Sequence, residues 1–145
     1  MLSRRFARPL SWWCRGTALL VSVFLLPAVA LADGDLRKNG SLVGRVESDG
    51  TIRIRGTIVG RFESDGSIRI RGALVGKIER DGDIRKRGSI EGRIESNGDV
   101  RVRGSLVGRV EDDGTIRHRG SIIGSARGVP PAQAAALFFF DFVDL

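Results

Sequence analysis

An all-β chain of antiparallel hairpins that closes on itself is the fold this sequence predicts, and three observations predict it. A hydrophilic turn ending in Asp-Gly or Asn-Gly returns five times at intervals of 16 residues. Between the turns, apolar residues or glycine alternate with charged or polar residues, which is the period of a half-buried strand. The flanks of the repeated region, Asp35 to Glu47 and Thr115 to Ala126, carry the same pattern. Each has a free edge that the other covers, so closure into a ring or barrel is the simplest arrangement for an exported all-β chain. A parallel β-solenoid also fits a short period, but reverse turns at every repeat favour hairpins.

The chain divides into three segments. Residues 1–32 begin with Arg4, Arg5, Arg8 and Arg15, continue with an apolar run from Thr17 to Ala30, and end in Ala30-Leu31-Ala32. That order is expected of a cleaved secretory signal peptide, and the apolar run is shorter than the roughly 20 residues that span a bilayer. Arg4-Arg5 departs from a twin-arginine signal in the residues that follow it. Residues 33–128 form the repeat domain, and residues 129–145 a Pro-, Ala- and Phe-rich tail expected to pack on it. The one cysteine, Cys14, lies in the leader, so the exported chain has neither disulfides nor thiolate chemistry. Four of the 24 basic residues also lie there and none of the 17 acidic ones, leaving 20 against 17, a balance of +3. That is ordinary for a soluble domain and gives no support to a nucleic-acid partner.

Within one repeat, Ile52, Ile54, Gly56, Ile58, Gly60 and Phe62 share a parity, opposite Thr51, Arg53, Arg55, Thr57, Val59, Arg61 and Glu63. Glycine and β-branched residues at this density exclude helix. Because 16 is even, the parity repeats and one apolar face is expected to run through the protein. Parity also selects the turn. A three-residue loop, Ser48-Asp49-Gly50, pairs Val46 with Ile52 and Glu47 with Thr51, whereas a two-residue loop sets Val46 beside Arg53. Such loops place their last residue in the left-handed region, so Gly50, Gly66, Gly82, Gly98 and Gly114 are expected at positive φ. The same register carried further sets Gly44 against Ile54, Leu42 against Gly56 and Ile58 against Gly72. Whether Gly56, Gly72, Gly88 and Gly104 mark bends or true turns is left open by the sequence.

The repeat D-G-[TSD]-[ILV]-R-x-R-G-[ST]-[IL]-V-G-[RK]-[VIF]-E, with IIGSARGV from Ile122 to Val129 and an Ala-rich run into Phe138-Phe139-Phe140, resembles that of the five-fold β-flower proteins. The resemblance covers residues 33–145 and implies a pseudo-symmetric flower of β-hairpins. It brings no established activity and no catalytic residues. It departs from the family in its tight Arg-x-Arg-Gly, where the family's first strand often has a serine-rich stretch.

No catalytic constellation is expected. The lone histidine, His118, occupies a position filled elsewhere by Lys38, Ile54, Ile70, Lys86 and Val102, which reads as packing. Without cysteine, and with one histidine, neither a transition-metal site nor any cofactor is expected, and one carboxylate per turn falls short of calcium's six oxygens. Two surfaces remain. Arginines recur in one register that includes Arg53, Arg69, Arg85 and Arg101, and in a second that includes Arg55, Arg71, Arg87 and Arg103. Either set forms a belt of like charge able to bind anions, unless Glu47, Glu63, Glu79, Glu95 and Glu111 neutralise it. Val43, Val59, Val75, Val107 and Ile123 fall by parity on the charged face, a candidate assembly surface or dock for the tail phenylalanines Phe138, Phe139 and Phe140.

The function expected is therefore non-enzymatic: an exported structural or assembly module of the cell envelope, periplasmic or secreted. The alternative is a multivalent anion- or glycan-binding protein that uses the repeated arginines. Partners are the chain itself or an acidic envelope component, with no membrane span after the leader is removed.

Overall fold

The computed structural model describes residues 33–145; the expected leader, residues 1–32, lies outside the described residues. Twelve antiparallel strands close into a barrel in which each strand pairs with its neighbour in sequence and the first pairs with the last. They are β1 Gly34–Lys38, β2 Ser41–Val46, β3 Thr51–Ile54, β4 Thr57–Phe62, β5 Ser67–Ile70 and β6 Ala73–Ile78. The second half repeats the first, with β7 Asp83–Lys86, β8 Ser89–Ile94, β9 Asp99–Val102, β10 Ser105–Val110, β11 Thr115–His118 and β12 Ser121–Arg127. Helix α1, Pro131–Phe139, follows. Closure joins the two flanks, with Asp35 opposite Arg127 and Lys38 opposite Gly124, and no parallel coil is present among the described residues.

One end of the barrel carries the five Asp-Gly and Asn-Gly loops, in the register expected from parity. Val46 lies opposite Ile52 and Gly44 opposite Ile54. Each loop closes as in the first, where Glu47 N–H donates to Thr51 O at 2.8 Å and Gly50 N–H to Glu47 O at 2.9 Å. Gly50, Gly66, Gly82, Gly98 and Gly114 have φ between 83° and 92°. Glycine is required twice over at Gly50, since a Cβ there would also run into the carbonyl of Phe62. Asp49 fixes the loop through its Oδ1, which accepts Thr51 N–H at 2.9 Å.

At the other end the open question about Gly56 is resolved as a true turn. Arg55 and Gly56 sit at φ 48° and 82°, a two-residue loop with both central residues left-handed. Five further turns repeat it at Asn39-Gly40, Arg71-Gly72, Arg87-Gly88, Arg103-Gly104 and Arg119-Gly120. The chain therefore reverses every eight residues on average, and the barrel is a ring of six such hairpins rather than of five long ones. Leu42 and Ile58 consequently have no glycine opposite them in a ladder, contrary to the extended register.

Each of these hairpins also contains a β-bulge. Ile52 pairs with Gly60 and Arg53 with Ile58, so Val59 is an extra residue. Its carbonyl accepts the Arg71 N–H of the neighbouring hairpin at 2.9 Å, and the Asn39 to Ile123 bond at 3.0 Å completes the circuit. The extra residue reverses the face of everything between it and the turn. The apolar face is thus not continuous. Val43, Val59, Val75, Val107 and Ile123 turn inward and pack against the core, while Leu42, Ile58, Leu74, Ile90, Leu106 and Ile122 turn outward.

The lumen is filled from two sources. Leu36, Ile52, Ile68, Ile84, Val100 and Ile116, one from each hairpin, are wholly buried. The strands also bury Val46, Ile54, Phe62, Ile94, Val110 and Ala126, and the tail fills what remains, for after Gly128 the chain enters at the Asp-Gly end and α1 runs inside the barrel. Ala134, Ala135 and Ala136 are fully buried there, because only small side chains let a helix fit within a ring of this size. Pro131 opens the helix, and Pro130 O accepts Ala134 N–H at 3.0 Å. Among the described residues no helix is long and apolar enough to cross a membrane. The strands, at four to seven residues, are also shorter than the roughly 9–11 that a bilayer-spanning strand needs.

Candidate binding surface at the arginine turns

The two arginine registers meet different environments. Arg69, Arg85, Arg101 and Arg117 donate from Nε to Glu63, Glu79, Glu95 and Glu111 at 2.6–2.8 Å, and Arg53 donates likewise to Glu47. The same four reach with Nη1 to the turn carbonyls of Gly72, Gly88, Gly104 and Gly120 at 3.3–3.4 Å. This register ties the carboxylate end of one loop to the turn at the opposite end, and its charge is locally neutralised.

A third set lies nearer the acidic loops. Arg61 bonds Asp49 at 2.8 Å, Arg93 bonds Asp83 at 2.6 Å and Arg109 bonds Asp99 at 2.7 Å. These contacts leave a mark on protonation. The Arg109 guanidinium holds the Asp99 carboxyl below the usual carboxylate range. Asp49, Asp65 and Asp113 are lowered chiefly by the backbone N–H of Thr51, Ser67 and Thr115. Glu79, Asp81 and Asp83 bring three carboxylates within 4.8 Å of one another. Arg85 and Arg93 already hold Glu79 and Asp83 at 2.6 Å, so that cluster is balanced by its own arginines.

The turn register differs. Arg55, Arg71, Arg87, Arg103 and Arg119 are exposed, and among the described residues only Arg103 has an acidic partner, Glu91 at 3.5 Å. Beside them stand the outward aliphatics, each between 52% and 61% exposed. Neighbouring hairpins enclose shallow outer grooves built from both. One, of about 400 Å³, is lined by Leu42, Val43, Arg45, Arg53 and Arg55. Its counterpart, of about 390 Å³, is lined by Leu106, Val107, Arg109, Arg117 and Arg119. The sequence reading missed these aliphatics as surface residues because parity, uninterrupted, placed them inside.

The tail phenylalanines lie at the same end of the barrel but within it. A Cβ at Gly124, Gly108, Gly92 or Gly76 would meet Phe138, Phe139, Phe140 or Phe142 respectively, at 2.5–2.8 Å. At Gly60 and Gly44 the corresponding places are taken by Ile70 and Ile54. Opposite the four phenylalanine-covered glycines stand Lys86, Val102, His118 and Lys38 instead of isoleucine. Two of these hold the tail. Lys86 Nζ donates to the carbonyls of Phe140 and Asp141 at 2.8 and 3.1 Å and lies 5.3 Å from the Phe142 ring centroid. Lys38 Nζ donates to Leu145 O at 3.0 Å, and His118 meets Phe139 edge-on at 6.1 Å.

No family model matches the chain, and no curated protein or solved structure matches it either. Among the described residues no buried side-chain polar atom lacks a hydrogen-bond partner. The arrangement offers repeated cationic and aliphatic recognition, delivered by a ring whose turns are each fixed by backbone bonds to the next hairpin.

Proposed function

We propose that this protein is a non-enzymatic, exported binding module of the β-flower kind that engages an acidic component of the cell envelope through its turn arginines. The observation that carries the reading is the register Arg55, Arg71, Arg87 and Arg119, exposed and without acidic partners among the described residues. Planar guanidinium forks suit phosphate and carboxylate groups, and repetition around a ring raises avidity when each contact is weak. The closed ring of hairpins is what the β-flower resemblance implies, and it supports that kinship. A purely assembling role drew on the valines and the phenylalanine tail, and both are engaged in the core. Self-association keeps the exposed aliphatics as its support, and is the second reading.

Binding to long-chain inorganic polyphosphate, followed by calorimetry at low and high salt, tests the proposal. The wild type is expected to bind with an affinity that falls as salt rises. Arg55→Ala, Arg71→Ala and Arg87→Ala together are expected to weaken it at least about tenfold. Arg53→Ala with Arg69→Ala is expected to do far less, because those guanidiniums are already bonded to Glu47 and Glu63. Binding unchanged by the turn triple overturns the proposal.

A further inference from the structure

The arginine-turn end carries a second property that anion binding alone does not use. Six aliphatic side chains, Leu42, Ile58, Leu74, Ile90, Leu106 and Ile122, ring the outside of the barrel and are more than half exposed. Nothing in the core requires them, since in five of the six hairpins the bulge supplies an apolar residue that packs against the core, the exception being Glu91. Singly exposed aliphatics are ordinary, but a complete ring at one level, produced by one device repeated six times, is a surface that meets something.

We propose that this end of the barrel docks onto an anionic lipid bilayer, with the turn arginines at the lipid phosphates and the aliphatic ring in the headgroup–acyl boundary. Three observations converge on that partner. The first is charge polarity along the barrel axis. The Asp-Gly end carries Asp49, Asp65, Asp81, Asp112 and Asp113, two of them paired with Arg61 and Arg93. The opposite end sets the five turn arginines with Lys38 and Lys86 against Glu91, Asp141 and Asp144. Positive charge is in excess there, so an anionic surface draws the molecule in end-on with its arginines leading. The second is reach. Ile58 lies two residues beyond Gly56 in an extended strand, about 7 Å from the turn, and interfacial protein segments bury about 5–10 Å into the boundary. End-on approach therefore brings all six aliphatics to the boundary together, which a sideways approach does not. The third is the mixture itself. Two outer grooves set a leucine beside a turn arginine that has no acidic partner among the described residues, Leu42 with Arg55 and Leu106 with Arg119. Their carboxylates, Glu47 and Asp99, are held by Arg53 and Arg109, which matches a phosphate joined to acyl chains better than a wholly polar glycan. A second copy of the chain is disfavoured as occupant, because two such ends face to face oppose five exposed arginines with five more.

This inference rests on the anion-binding reading, and its test separates the two. Sedimentation with vesicles of phosphatidylglycerol mixed with phosphatidylcholine, and of phosphatidylcholine alone, is compared with binding to inorganic polyphosphate. The wild type is expected to bind the mixed vesicles and leave the neutral ones. Ile58→Ser, Leu74→Ser and Ile90→Ser together are expected to lower vesicle affinity at least about tenfold while polyphosphate binding is retained. These residues are exposed, so the thermal midpoint serves as the control for folding. Leu74→Trp gives an independent readout, a blue shift of the difference spectrum against wild type on adding mixed vesicles. Vesicle binding unchanged by the serine triple, with no shift from Leu74→Trp, overturns the lipid inference and leaves the anion reading standing. Binding to polyphosphate but not to vesicles does the same. An oligomer that the serine triple dissociates, without vesicle binding, assigns the ring to a second copy instead. Loss of polyphosphate binding in the wild type overturns both.

Discussion

Replacing Phe142 and Lys86 singly and together tests whether the tail phenylalanines and the strand isoleucines are interchangeable fillers of one ring of places. Over Gly60 the place is taken by Ile70, and over Gly76 by Phe142, opposite Lys86. Phe142 is 7% exposed, so Phe142→Ala removes a buried ring and leaves a hole, at a cost of about 3–4 kcal/mol. For a domain of this size that lowers the thermal midpoint by about 15 °C. Lys86→Ile alone loses the bonds to the carbonyls of Phe140 and Asp141 and drives a branched side chain against the Phe142 ring. Its cost is about 2 kcal/mol. In the Phe142→Ala background the same isoleucine enters the vacated place, as Ile70 does over Gly60. The double variant is then expected to be about 2 kcal/mol more stable than the two single costs add up to. Urea denaturation of all four proteins, followed by far-ultraviolet circular dichroism with matching slopes, measures the coupling. Strict additivity refutes the interchange, and with it the account of why the central residue of Arg-x-Arg changes from isoleucine to lysine, valine or histidine.

Three further outcomes are expected. Gly50→Ala, at φ 86° and against the Phe62 carbonyl, destabilises by about 2 kcal/mol or more in the same urea assay. Arg55→Asn places a residue tolerant of φ 48° in the turn and raises the thermal midpoint by a few degrees, an effect of about 1 kcal/mol at most. Acid weakens the fold: Asp49, Asp65, Asp99 and Asp113 titrate below the ordinary range, so the folded chain binds fewer protons than the unfolded one. The stability they contribute is complete above the unfolded carboxylate value of about 4 and is lost as pH falls through their lower folded values. Thermal midpoints scanned from neutral into acid measure that slope. Asp65→Asn makes it shallower without breaking the loop, since Asn97 already holds an equivalent loop by accepting Asp99 N–H at 3.0 Å.

The closed antiparallel ring and its three-residue loops were legible because parity is a strict constraint: Val46 pairs with Ile52 only if the loop has three residues. The paired arginines were legible in part, as one of two stated outcomes for the register containing Arg53. What failed was parity beyond Ile54. A bulge inserts one residue without altering composition, so Val59 and Ile58 exchange faces while their sequence still alternates. The two-residue turn did leave a trace. The first repeat has Asn39-Gly40 where the others have Arg-Gly, and Asn-Gly is the strongest signal for a loop with two left-handed residues. Arginine obscured it, having no preference for that conformation of its own. The entry of the tail into the lumen was not legible, because an Ala-rich helix reads the same whether it lies on a barrel or inside one.

The threaded tail has a consequence for how the molecule comes together. Nearly every strand pairing joins neighbours in sequence and is cheap to form, but the seam between β1 and β12 spans almost the whole described chain. The tail that fills the lumen follows later still, and Leu145 O is held by Lys38 of the first strand. The hairpins therefore accumulate with only part of their interior, and β12 and the tail that follows it complete the wall and its contents. A chain cut before β12 is left with open edges, and one cut between β12 and α1 closes around an underfilled lumen, so truncation is felt around the whole ring rather than at one place in it.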